Sequence, residues 1–172
     1  CNWLFRKKLT INRTMVAATQ TSFPVLVNLS SDSDLANDAQ DSGNDIVFTS
    51  SDGTTQIPHE IESFNGTTGA LIAWVKVPEV NSSVNTPIYL YYGNSTTASQ
   101  ENATNVWDAN YRGVWHLKEA TGMNVADSTV NANTGTPNYS ATQVAGQIDG
   151  SLNFDPSLVQ YVTVQDNASL QL

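Results

Sequence analysis

Charge is scarce in this chain. Only 13% of its residues are charged, about half the usual share of a globular protein. Basic side chains are scarcest: there are seven, and Arg6, Lys7, Lys8 and Arg13 fall within the first 13 residues. The remainder is almost purely acidic, and the formal net charge is −9. Sequence-independent nucleic-acid binding needs a basic face, so that class is excluded. Docking on anionic lipid is disfavoured for the same reason. No apolar run approaches the roughly 18 residues of a membrane span, so no transmembrane segment is expected. The His-Glu-x-x-His, Gly-x-Ser-x-Gly, P-loop and Cys-x-x-Cys patterns are all missing. Cysteine occurs once, at Cys1, which excludes an internal disulfide. Cys1 has three readings: a chance boundary, an interchain disulfide partner, or the lipid-modified first residue of a lipoprotein. With no initiator Met, the chain reads as a mature or trimmed product.

Polarity comes instead from Ser, Thr and Asn, which make up 54 of the 172 residues. Neutral hydrogen-bonding surface of this kind suits a secreted β protein. N-glycosylation sequons occur at Asn12, Asn28, Asn65, Asn81, Asn94, Asn102, Asn138 and Asn167. Chance predicts about four from this composition, so eight point to an extracellular glycoprotein. The alternative is that Asn- and Thr-rich turns produce them incidentally.

Hydrophobicity alternates with a period of two almost throughout, which predicts strands. Trp3, Phe5, Leu9 and Ile11 share one face of a first strand; Arg6, Lys8 and Thr10 share the other. Phe23–Leu29 is a second strand, beginning at an edge or a bulge because Pro24 lacks a ladder donor. Ser31, Asp32 and Ser33 offer cap oxygens for one short helix within 31–40. Ile46–Thr49 and Ile57–Phe64, joined through Ser51-Asp52-Gly53, read as a hairpin. Ala70–Val77 is a central strand that Pro78 ends, and Ile88–Tyr92 is another. Residues 97–102 read as one helical turn. After a boundary near 107–110, short strands are expected at Gly113–Leu117, Leu152–Phe154 and Tyr161–Val164, separated by long polar loops. The fold class is therefore all-β: an antiparallel, jelly-roll-like sandwich with one short helix over 1–107, then a partial second β-sandwich unit over 108–172. So few residues struggle to bury a core alone, so the second unit is truncated, packs on the first, or is completed by another chain.

These residues also carry a family pattern. The run Trp3–Ile11, then Phe23-Pro-Val-Leu-Val27, Asp45-Ile-Val-Phe48, Asp52-Gly53, His59-Glu-Ile-Glu62, Ala73-Trp-Val-Lys-Val-Pro78 and Ile88-Tyr-Leu-Tyr-Tyr-Gly-Asn94 resembles the domain of unknown function 2341. The resemblance implies a secreted, multidomain surface protein of an archaeon or bacterium. Gly113-Val-Trp-His-Leu117, Asp127-Ser-Thr, Leu152-Asn-Phe-Asp155 and Tyr161-Val-Thr-Val164 resemble the opening of a concanavalin A-like, laminin G-type lectin domain. Pro156 stands where that family often has Gly. The second resemblance implies Ca²⁺ as a possible ligand, with Asp127 and Asp155 as candidate oxygen donors.

Several constellations invite chemistry. On a strand, His59 points away from Glu60 and Glu62. It reads as a packed, hydrogen-bonded histidine, and the two carboxylates as solvated surface rather than a glycosidase pair. His116 reads as structural. Asp32, Asp34, Asp38, Asp41 and Asp45 fail the EF-hand template at Ala36 and fit a capped, solvated helix. Tyr89, Tyr91, Tyr92, Trp74, Trp107 and Trp115 read as buried sandwich aromatics, and an exposed row of them would signal a lectin. The function expected is non-enzymatic: a structural or adhesive subunit of a cell-surface assembly or filament, joined to other copies or other surface proteins by strand exchange. The alternative is a carbohydrate-binding module, Ca²⁺-dependent or not. No catalytic residue and no cofactor other than Ca²⁺ is expected.

Overall fold

In the computed structural model, residues 2–139 and 141–171 are described; Cys1, and with it the disulfide and lipidation readings, lies outside them. The chain divides into two compact units, 1–106 and 107–172. Each is all-β with antiparallel pairing, and the helices are two short ones rather than one.

The first unit is a sandwich of two three-stranded sheets. Sheet A has the order β1 (Phe5–Ile11), β6 (Thr86–Tyr92), β3 (Val47–Thr49). Sheet B has the order β2 (Gln20–Leu29), β5 (Ala70–Val80), β4 (His59–Asn65). The period of two decides what lies between them. Leu71, Ala73, Val75 and Val77 of β5, and Ile88, Leu90 and Tyr92 of β6, are buried together with Phe48, Ile46, Ile57 and Val27. Asp32 starts helix α1 (Ser33–Asp38) by accepting from the backbone N–H of Asp34 and Leu35, and Leu35 drives the helix into the core. A second single-turn helix, α2 (Ala103–Val106), packs on β4 and β5. It stands just past the turn expected at 97–102.

Two local expectations are corrected. The segments 46–49 and 57–64 pair as a hairpin only beside the turn, where the Ile57 N–H donates to the Phe48 carbonyl and the Ser50 N–H to the Thr55 carbonyl, both at 2.9 Å, and then part. β3 pairs with β6 in sheet A and β4 with β5 in sheet B, so the Asp52-Gly53 turn carries the chain from one layer to the other, with one bridge, Thr49 to Gln56. Nor does Pro78 end its strand. β5 runs on to Val80 because β4 flanks it only as far as the Val75–His59 pair. The missing proline N–H therefore forfeits no bond to a second neighbour.

The second unit holds two separate two-stranded ladders. β7 (Gly135–Asn138) pairs with β10 (Tyr161–Val164), and β8 (Thr142–Ala145) with β9 (Gly150–Asn153). Gly113–Leu117 forms no strand; the Val114 carbonyl accepts from the Ser128 N–H at 2.9 Å, and Leu117 has a left-handed φ of 58°. Asp127 organises this region. Its carboxylate accepts from the backbone N–H of Val114, Thr129 and Asn133 and from the Thr129 hydroxyl, all at 2.8–2.9 Å.

Candidate functional site

The outward face of sheet A is built by strand register. Arg6 stands opposite Tyr91, and Tyr91 opposite Val47; Lys8 stands opposite Tyr89, and Tyr89 opposite Thr49. The two tyrosines point outward because Ile88, Leu90 and Tyr92, the alternate residues, are buried. The Arg6 guanidinium lies 5.0 Å from the centre of the Tyr89 ring, a cation–π distance. Its Nη1 donates to the Tyr91 hydroxyl at 3.3 Å, and that hydroxyl donates to the Gly53 carbonyl at 2.7 Å.

The turn at 50–56 folds over this face. The Asp52 carboxylate accepts from the Thr55 hydroxyl, from the Thr55 and Thr54 backbone N–H at 2.8 Å each, and from Ser50 Oγ. Those donors, the Thr55 hydroxyl foremost, hold its carboxyl well below the usual carboxylate range. Gly53 adopts a left-handed φ of +71°, which an L side chain resists. On the other side stands Trp3, whose Nε1 donates to the Asp45 carbonyl at 2.6 Å. Trp3, Val47, Thr49, Tyr91, Gly53, Thr54 and Gln56 enclose an open pocket of about 180 Å³. Tyr89 and Tyr91 are thus the members of the predicted aromatic set that form an outward row. Sequence reasoning missed Trp3, Arg6 and Gly53 as their partners. Alternation placed Trp3 with Phe5, but Trp3 precedes β1 and so escapes its register.

The other aromatics do other work. Tyr92 is core. Trp74 donates through Nε1 to Glu62 at 2.8 Å. Trp115 donates to the Asn133 carbonyl. Trp107 packs on Tyr111 and His116, with ring centres 5.1 and 6.2 Å away.

Two expectations about the His59-Glu-Ile-Glu62 segment need correction. Glu60 and Glu62 are not solvated: both are buried, Glu60 opposite Trp74 on the neighbouring strand and Glu62 accepting from the Trp74 indole N–H, with α2 packed on β4 and β5. His59 is fully buried against Phe48, with ring centres 5.3 Å apart, yet it is not hydrogen-bonded. Among the described residues neither ring nitrogen has a partner in bonding geometry. Desolvation lowers its pKa to about 4, although the backbone of Ile57 and of Ile46 favours the charged ring.

Of the acidic run, Asp32 caps α1 and pairs with Lys7. Burial raises its pKa, but Lys7 and the capped N–H groups outweigh that and lower it. Asp45 is buried and accepts from the backbone N–H of Gln40, Gly93 and Asn94 at 2.8–2.9 Å. Both candidate Ca²⁺ donors face protein hydrogens. Asp127 is saturated as described, and its pKa falls despite burial because four donors stabilise the carboxylate. Asp155 Oδ1 accepts from the Ser157 N–H and hydroxyl. The described residues hold no group of three or more His, Cys, Asp or Glu side chains placed to share an ion.

The sequons fall largely on turns. Asn12, Asn65, Asn81, Asn94 and Asn167 each accept, through Oδ1, the backbone N–H of the Ser or Thr two residues on, the Asx-turn geometry. Asn12, Asn28, Asn65, Asn102 and Asn167 are exposed, Asn81 and Asn138 half-buried, and Asn94 buried.

No curated protein and no solved structure matches the chain. Among the described residues no helix is long and apolar enough to cross a membrane. One family model matches, over residues 42–123. Over that stretch, which runs from the loop before β3 into the start of the second unit, the chain is similar to the domain of unknown function DUF2341.

Proposed function

We propose that this chain is a non-enzymatic structural or adhesive component of an extracellular surface assembly, joined to its neighbours by strand complementation in the second unit. One observation carries the reading. In that unit Trp115, Leu117, Val125, Phe154, Val162 and Val164 line an open groove of about 340 Å³ with no polar side chain among them. Val162 and Val164 reach it from alternate positions of β10, which has a neighbour, β7, on one side only. A two-stranded ladder is marginal by itself, and a free edge beside an apolar groove is a template for one more strand. A side chain taken from exposed to fully buried contributes about 1.5–3 kcal/mol; Phe154 starts exposed, Trp115, Leu117, Val162 and Val164 start half-buried and gain less, and Val125 is buried already. The resemblance to a concanavalin A-like unit supports the same reading, since that architecture closes with further strands. Exposed sequons at five sites support an extracellular setting.

The test is light scattering on the purified chain across a concentration series. The expected result is a mass above 18.6 kDa that grows with concentration. In Val162→Asp it collapses to the monomer while the circular dichroism of the first unit is retained. A wild-type chain that stays monomeric throughout refutes the assembly.

A second reading, a carbohydrate-binding module, is favoured by the outward tyrosine row and the pocket beside it. Binding of the chain to an immobilised glycan array is the expected outcome; silence across the array rejects it.

A further inference from the structure

The pocket on sheet A has a composition that narrows its ligand. Its floor is Val47, Thr49 and the Tyr91 ring; its walls are the Trp3 indole and the turn carrying Gly53, Thr54 and Gln56. Each aromatic has spent its polar end on the protein: the indole N–H on the Asp45 carbonyl, the Tyr91 hydroxyl on the Gly53 carbonyl. Each ring is therefore held in place along the pocket, and rotating it away breaks a bond of 2.6 or 2.7 Å. The turn is held just as firmly by the Asp52 carboxylate. The site is built before anything binds, which lowers the ordering cost of binding. At the rim the Gln56 amide and the Thr54 hydroxyl are exposed and make no hydrogen bond among the described residues.

Charge narrows the choice further. No carboxylate lines the pocket, and Arg6 and Lys8 stand on the adjacent strand. A cationic ligand is disfavoured on both counts. A purely apolar ligand would leave the amide and hydroxyl at the rim unused. What fits is a ring with one C–H face for the aromatics and hydroxyls around its edge for a planar amide and an alcohol. Small-molecule sites have this build: apolar walls with a few placed polar groups.

We propose that the pocket between Trp3 and Tyr91 is a saccharide subsite, taking one pyranose ring of a neutral or anionic glycan. The inference deepens the carbohydrate-binding reading and rests on it, and it is independent of assembly through the second unit. It needs no metal, because none of the lining groups is a metal-binding carboxylate.

The experiment uses the full chain on a glycan array, followed by titration of the best-bound oligosaccharide, with Trp fluorescence and calorimetry as readouts. A single ring held by a small site binds on the order of 1 mM. Gln56→Ala alters an exposed side chain and should weaken binding 3- to 10-fold. Trp3→Ala should weaken it at least 10-fold, and Phe23→Ala, on sheet B, should leave it unchanged. Chelation with EDTA should change nothing. Array binding that survives both Trp3→Ala and Gln56→Ala overturns the subsite but keeps the carbohydrate reading. An array on which nothing binds overturns both. Loss of binding on chelation also overturns the site as drawn.

Discussion

His59 makes the stability of the first unit depend on pH in a window of its own. The ring is fully buried, both nitrogens lack a partner, and its pKa lies at about 4 against 6.5 for the free side chain. Above pH 6.5 the ring is neutral in folded and unfolded chains alike and adds no pH dependence. Between 6.5 and 4 the unfolded chain binds the proton and the folded chain refuses it. Stability therefore falls as pH falls, by at most about 1.4 kcal/mol per pH unit. The total reaches about 3 kcal/mol near pH 4. For a unit of this size that corresponds to a melting temperature lower by roughly 10–20 °C. Asp32, with its lowered pKa, loses its contribution only as pH falls below the ordinary carboxylate value, so the upper part of the window belongs to the histidine. The assay is thermal unfolding by circular dichroism at pH 7, 6, 5 and 4.5, on wild type and His59→Leu. The leucine variant deletes two desolvated nitrogens, a gain of about 1–3 kcal/mol, and loses the ring contact with Phe48, a cost of about 0.5–1.5 kcal/mol. It should be slightly more stable than wild type at pH 7 and much flatter from 7 to 4.5. A wild-type profile with no slope, or a slope that His59→Leu retains, refutes the reasoning.

Other consequences are equally direct. Gly69 has a φ of +66°, and a methyl group there would stand 1.9 Å from the Asp32 carbonyl oxygen. Gly69→Ala should cost about 2–4 kcal/mol in urea unfolding, whereas Gly66→Ala, whose φ is not left-handed and whose added methyl would meet Asp41 Cα at 2.7 Å rather than a carbonyl oxygen at 1.9 Å, should cost less. Asp45→Ala strips the acceptor from three backbone N–H groups and should cost about 3–5 kcal/mol, read as a fall in urea midpoint at unchanged slope. Peptide mapping of secreted, glycosylating-host material should find sugar at exposed Asn12, Asn28 or Asn65 and none at Asn94, which is 8% exposed. Full occupancy at Asn94 would mean that its turn is not folded as described when sugar is attached.

Much of the first unit was legible in the sequence, because a strand advertises itself through a period of two and that period depends only on nearest neighbours. β1, β2, β5 and β6 read correctly from Leu9 and Ile11, Val25 and Val27, Leu71 to Val77, and Ile88 to Tyr92. Asp32 announced the start of α1, since a cap bonds to N–H groups two and three residues on. Which sheet a strand joins is a different matter. Nothing local in Ser51-Asp52-Gly53 distinguishes a hairpin from a crossing between layers. Glu60 and Glu62 alternate as surface residues would, and nothing inside that segment marks the distant Trp74 that meets them in the fold. The seven sequon asparagines other than Asn94 keep at least partial exposure, but composition could not tell which sequon would be buried.

The sequence by itself determined that the chain is all-β, that its surface is neutral and polar rather than basic, and that its tyrosines on β6 alternate with core residues. Those properties are sums over single residues or neighbours. Only the tertiary structure decided that Trp3 and Gly53 meet the outward tyrosines, that His59 lies buried without a partner, and that Asp127 spends both oxygens on backbone N–H groups and a hydroxyl. Each of those depends on groups brought together from distant points in the chain, and short-range patterning carries no information about which distant groups meet.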